Sequence, residues 1–84
     1  MAIDYSKLRN VTVRRIVRAL LKDGFELVRQ KGSHQQYRHP DDNRKVTVPY
    51  HKGSDTLKVK TLKEILEYQA EWDEEDLRRL GLLK

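Results

Sequence analysis

Apolar residues fall at Val13, Ile16, Val17, Leu20 and Leu21. This i, i+3, i+4, i+7, i+8 spacing lays one stripe along an amphipathic helix. Thr12 stands where a helix cap is needed, and Gly24 stands where the helix must stop. From Phe25 the period falls to two. Phe25 and Leu27 flank Glu26, and Val28 precedes the polar run Arg29-Gln30-Lys31, so a strand follows the helix directly. Gly32-Ser33 makes a turn, His34 to His39 reads as a second strand, and Pro40-Asp41-Asp42-Asn43 makes the next turn. Lys45 to Pro49 is a third strand with Val46 and Val48 on one face, and the three strands form an antiparallel meander.

Helical spacing returns after the loop from His51 to Thr56. Leu62, Ile65 and Leu66, continuing to Gln69 and Ala70, give a second amphipathic helix, with Thr61 and Glu64 in the positions of a capping box. Trp72 to Leu80 restarts the period as a short third helix, with Asp73 as its cap and Leu77 and Leu80 as its apolar pair. The order is α-β-β-β-α with a helical tail. Two helices at the ends of one three-stranded sheet close a core only if both pack on the same face. The predicted fold is therefore an α+β two-layer sandwich. It forms a single domain over residues 1–84, with a core of about 12–70 and a C-terminal helical extension over 71–84.

Composition narrows the chemistry. A chain of 84 residues has room for one core and excludes a multi-domain enzyme. With no cysteine, a disulfide framework, a thiolate zinc site and a cysteine nucleophile all fall away. Met1 to Asn10 has no apolar run of signal-peptide length and no stretch is long enough to span a membrane, so the expected compartment is the cytoplasm. Residues 1–70 carry 15 Lys and Arg against 8 Asp and Glu, whereas residues 71–84 carry 3 against 5. A basic body of this size has a polyanion as its natural partner, because each neutralised phosphate releases counterions. On the opposite side of the first helix, Arg14, Arg18 and Lys22 recur every four residues as a cationic ridge, which is either a solvated helix face or an RNA contact.

One histidine stands among neighbours that suggest chemistry. His34 follows the flexible Gly32-Ser33 turn at the mouth of a strand, with Arg29, Lys31 and Arg38 close in sequence. Strand parity puts His34, Gln36 and Arg38 on one face and Gln35, Tyr37 and His39 on the other. Tyr37 is the largest apolar group of the strand and belongs to the core, which leaves His34 on the solvent face. A neutral imidazole there can take a proton from a ribose 2′-OH, or its conjugate acid can protonate a leaving 5′-oxygen, while fixed cations stabilise charge at phosphorus. The alternative is a surface histidine in a hairpin. His39 and His51 each sit beside a turn and either cap backbone groups or stay solvated. The histidine spacings match no metal-ligand pattern, and no metal or other cofactor is expected.

The string Gly24-Phe25-Glu26-Leu27-Val28-Arg29-Gln30-Lys31-Gly32-Ser33-His34 is followed by Tyr37-Arg38-His39-Pro40, Val46-Thr47-Val48-Pro49, His51 and Thr61-Leu62. Together these strongly resemble the HicA family of toxin mRNA interferases, from about Val13 to Ala70. The resemblance implies a double-stranded-RNA-binding-domain-like fold and a ribonuclease toxin of a type II toxin–antitoxin pair, held inactive by a HicB-type antitoxin. It implies that His34 is the essential histidine, that Gly32 and Ser33 shape the active turn, and that the basic residues around them, Arg29, Lys31 and Arg38, contact RNA. Two positions depart from the family pattern. Lys60 stands where members often have glycine before the Thr-Leu pair, and Ala70-Glu71-Trp72 replaces a glycine-containing turn after the second helix. Two other classes stay open beside the enzyme: a non-catalytic RNA-binding module and a protein-interaction domain that uses the sheet edge.

Overall fold

A computed structural model describes residues Ile3–Leu83. Met1, Ala2 and Lys84, the ends of the domain expected over 1–84, lie outside the described residues. A 3-10 turn at Tyr5–Leu8 leads into α1 (Val13–Lys22), β1 (Glu26–Lys31), β2 (His34–Arg38) and β3 (Lys45–Pro49). Then come α2 (Val59–Lys63), which continues as a π-helical segment at Glu64–Gln69, and α3 (Glu74–Arg79). The α+β class, the strand meander and the short third helix agree with the sequence pattern. Among the described residues no helix is long and apolar enough to cross a membrane.

Helix α1 starts where the sequence predicts. Thr12 Oγ1 accepts from the Arg15 N–H (3.3 Å), and the loop ahead of α2 supplies two further acceptors. Val13 N–H donates to Asp55 C=O (2.8 Å) and Arg14 N–H to Gly53 C=O (3.0 Å), so three first-turn donors are satisfied. At the other end Gly24 N–H donates to Leu21 C=O (3.1 Å) and Phe25 N–H to Leu20 C=O (2.9 Å), the two bonds of a Schellman cap. That cap needs a left-handed residue, and Gly24 has φ +100°. The buried stripe is Val13, Ile16, Ala19 and Leu20. Leu21, predicted to belong to it, is 52% exposed. At about 100° per residue it lies past Val17 at the margin of the stripe, while Ala19 closes the other margin.

The sheet order is β1-β2-β3, antiparallel throughout. Its buried positions, Tyr37, Val46 and Val48, share one face and join α1, α2 and the π-helical segment in a single core. β1 departs from expectation. Phe25 is buried just ahead of the strand, but all six strand residues are exposed, Leu27 at 48%. β1 is an outer strand beyond the helical cover, so the alternation predicted from Phe25 and Leu27 buries only its first member.

The second helix also differs. It begins at Val59, with Lys58 as a cap that makes no side-chain bond, and its first backbone bond runs from Leu62 N–H to Lys58 C=O (2.9 Å). Thr61 therefore lies inside the first turn, and the capping box predicted from Thr61 and Glu64 does not form. The chain then widens to π geometry, closing with Ala70 N–H on Ile65 C=O (2.8 Å). In that segment Gln69 Oε1 accepts from the backbone N–H of Thr47 (2.8 Å), so a side chain occupies an edge donor of β3.

The C-terminal extension packs on its own domain. Trp72, Leu77, Leu80 and Leu82 are buried in the same core cluster as α1 and the sheet. Asp73 and Asp76 form a reciprocal capping box at the start of α3. The Asp23 carboxylate joins the segments. It accepts from Trp72 Nε1–H (2.8 Å) and Arg79 Nη2–H (2.9 Å), and it faces Arg44 Nη2 at 3.4 Å. Arg44 lies over the Phe25 ring at 4.9 Å and donates to the Ala70 carbonyl.

Replacing Asp23 with alanine removes the acceptor of the buried Trp72 indole N–H and the carboxylate facing Arg44, where the Asp23 and Arg44 side chains are only 12% and 17% exposed. The expected cost is about 3 kcal/mol, measured as a lowered urea midpoint at unchanged slope. Glu71 holds φ 58° in the turn between the π-helical segment and Trp72. Glu71→Gly removes that left-handed strain, and the same titration should show a gain of about 1 kcal/mol.

Candidate active site on the open sheet face

The helices cover one side of the sheet, and the other side carries the charge. Cross-strand partners share a face, so the register decides which β1 residues stand beside His34. Glu26 pairs with Arg38 and Leu27 with Tyr37, but then Arg29 pairs with Gln36 and Lys31 with His34. One extra residue, Val28, is inserted as a bulge between Leu27 and Arg29. In an unbroken strand Leu27, Arg29 and Lys31 would share the Tyr37 face. The bulge reverses the parity after Leu27 and turns Arg29 and Lys31 to the face of His34, Gln36 and, across β3, Thr47 and Pro49.

Lys31 and His34 close a two-residue hairpin loop, Gly32-Ser33. Gly32 has φ +57° while Ser33 is not left-handed, the sign pattern of a type II′ turn, whose twist matches that of the strands it joins. Ser33 C=O accepts from the backbone N–H of Tyr50, which binds the turn to the end of β3. His34 follows as the first residue of β2, exposed, and among the described residues no side chain hydrogen-bonds to its ring. Burial raises the Tyr37 hydroxyl above the ordinary tyrosine range, and that hydroxyl donates to Gln35 Oε1 (2.6 Å) on the covered side.

Arg29, Lys31, Gly32, Ser33, His34, Gln36 and Thr47 line one shallow groove of about 670 Å³. The structure thus brings together five of the six residues singled out from the sequence. Arg38, the sixth, shares their face but lies at the far end of β2, where Nε–H donates to Asn43 Oδ1 (3.2 Å). It lines a neighbouring groove of about 520 Å³ with Val28 and Lys45, and the two grooves meet at Gln36 and Thr47. Gln36, Thr47 and Lys45 were legible as outward positions by strand parity, yet their residue types carry no signal of their own. The open face is a strip of cationic and amide groups with one imidazole beside the turn. Such a strip suits an anionic backbone with a reacting phosphate near His34.

The other histidines separate by environment. His39 is 8% exposed and packs edge-on against Phe25 at 5.1 Å between ring centroids. Its Nδ1 accepts from Asp41 N–H (3.3 Å), so Nε2 carries the proton and donates to Asp23 C=O (2.8 Å). His39 joins the β2–β3 turn to the end of α1. His51 is exposed, beyond β3. Among the described residues no three or more His, Asp or Glu side chains form a group able to hold a metal ion.

Comparison with known proteins gives one family. The model of the HicA toxin of bacterial toxin–antitoxin systems matches residues 13–72, which include every residue of both grooves. No curated protein matches the chain.

The turn itself is open to test. A Cβ on Gly32 meets nothing within 4 Å, so the glycine serves its backbone and not the space around it. Gly32→Ala should therefore lower stability by about 1 kcal/mol in urea unfolding. A chemically synthesised chain with D-alanine at this position should show no such loss.

Proposed function

Since the chain belongs to the HicA toxin family of bacterial toxin–antitoxin systems, we propose that it is an endoribonuclease toxin whose substrate is mRNA, acting in the cytoplasm and held inactive by a HicB-type antitoxin. The observation that carries this reading is the exposed His34 imidazole at a cationic groove, with Arg29 and Lys31 turned onto its face by the Val28 bulge.

In this reading His34 takes the proton from a ribose 2′-OH, whose oxygen attacks the adjacent phosphorus in line. The products are a 2′,3′-cyclic phosphate and a 5′-OH. Arg29 and Lys31 stabilise the charge that accumulates on the non-bridging oxygens, and the Gly32-Ser33 turn holds the ring at the groove. Arg38, with Lys45, extends the track along the backbone of the bound strand. The reaction needs no metal, because proton transfer and fixed cations supply its elements. In-line attack requires a nucleotide free to rotate away from its neighbour, which favours single-stranded stretches over regular duplex. An antitoxin that offers acidic groups to this face would cover His34 and be steered to it by charge.

The test is cleavage of a defined RNA in EDTA with analysis of the ends. Cyclic phosphate and 5′-hydroxyl termini are the expected products; a magnesium requirement or 5′-phosphate ends overturns the mechanism. His34→Ala should lose roughly 10²–10⁴ in rate while keeping its unfolding midpoint. Arg29→Gln and Lys31→Gln should each reduce the slope of log affinity against log salt by about 0.7, the contribution of one single-strand phosphate contact.

A further inference from the structure

In-line displacement at phosphorus sets a geometric demand that one imidazole does not meet at once. The attacking 2′-oxygen and the departing 5′-oxygen occupy opposite apices of the transition state. A ring that removes the proton from the first faces away from the second. An RNA 5′-alkoxide is a poor leaving group, so a second proton donor on the far side lowers the barrier by the usual scale of general acid catalysis.

The register points to where that donor stands. His34 pairs with Pro49, and the Tyr50 N–H to Ser33 C=O bond carries the pairing one residue further. Tyr50 packs against the core, so the next residue, His51, stands on the other side of the chain, the side of Pro49 and His34. On one face of an antiparallel pair, residues offset by two are about 7–8 Å apart, a separation that two imidazoles flanking a phosphate can share. His51 is exposed, and among the described residues nothing hydrogen-bonds to its ring.

The loop that bears it is anchored. Gly53 and Asp55 carbonyls accept the first N–H groups of α1, Lys52 N–H donates to Asp55 Oδ2 (3.2 Å), and Asp55 N–H donates back to Lys52 C=O (3.1 Å). The Arg14 guanidinium lies against Gly53, 2.7 Å from where a Cβ would stand. Pro49 restricts the backbone on the other side. A group that must meet a transition state needs this kind of fixed support.

We propose that His51 is the general acid of the reaction, and this rests on His34 being its base. The 2′-O–H bond breaks as its proton passes to neutral His34, the 2′-oxygen bonds to phosphorus, the P–O5′ bond breaks, and the His51 imidazolium delivers its proton to O5′. One proton has moved from substrate to enzyme and one from enzyme to product. Exchange with water resets both rings.

The experiment compares the unaltered chain, His34→Ala and His51→Asn on two RNAs of one sequence. In the second RNA, sulfur replaces the bridging 5′-oxygen at the mapped cleavage site, so that a thiolate departs without needing a proton. His51→Asn should lose about 10²–10³ on ordinary RNA and flatten the high-pH limb of its pH–rate profile. On the sulfur linkage it should cleave within a few-fold of the unaltered chain, whereas His34→Ala stays slow on both. Full activity of His51→Asn on ordinary RNA overturns the acid assignment and leaves His34 as base. Equal loss on both linkages, with an unchanged unfolding midpoint, assigns His51 to binding and likewise overturns it. Full activity of His34→Ala overturns the underlying reading instead.

Discussion

A three-stranded sheet has two faces, and this chain carries apolar material for one. Tyr37, Val46 and Val48 supply the sheet's share of the core, and α1, α2 with its π-helical continuation, and the segment from Trp72 to Leu82 close over them. Burying the opposite face would require desolvating Arg29, Lys31, Arg38 and Lys45 together, a cost that no packing gain offsets without partner anions. The open face is therefore forced by composition, and its groups meet solvent or a ligand.

Two local devices shape that face. The Val28 bulge reverses strand parity and gathers Arg29 and Lys31 beside His34, while the two-residue Gly32-Ser33 loop sets the imidazole at the rim of the sheet. At the other end of the strands a different set of polar groups has a different task. Asp23, Arg44, His39 and Trp72 bind one another and the backbone where α1, the β2–β3 turn and the C-terminal segment converge. The exposed groups around the Gly32-Ser33 turn and the tightly paired groups around Asp23 thus occupy opposite ends of the same sheet. The histidines divide accordingly: the His39 ring is held by three neighbours, and among the described residues no side chain hydrogen-bonds to the His34 ring.

Much of this was legible in the residues. Strand parity alone separates Tyr37 from His34, and the caps at Thr12, Gly24 and Asp73 stand where residue type requires them. The misses have physical causes. Leu27-Val28 reads as continuing core alternation because an inserted residue leaves only a break in period, which two adjacent apolar residues conceal. The capping box at Thr61 and Glu64 has the right spacing, but the helix already runs from Val59. Nothing about Gln69 announces that it occupies an edge donor of β3.

The sequence by itself determined the element order, the covered and open faces of β2 and β3, the basic character of the body and the presence of a histidine after a Gly-Ser turn. These follow from interactions within a few residues, where period, backbone freedom and charge act locally. Tertiary structure alone decided which β1 cations stand beside His34, that Arg38 belongs to a second groove, that the His39 ring is bonded to Asp23 at the end of α1, and that the loop after β3 is held by the N-terminus of α1. Each depends on the pairing of segments distant in the chain, and a shift of one residue in that pairing exchanges one face for the other.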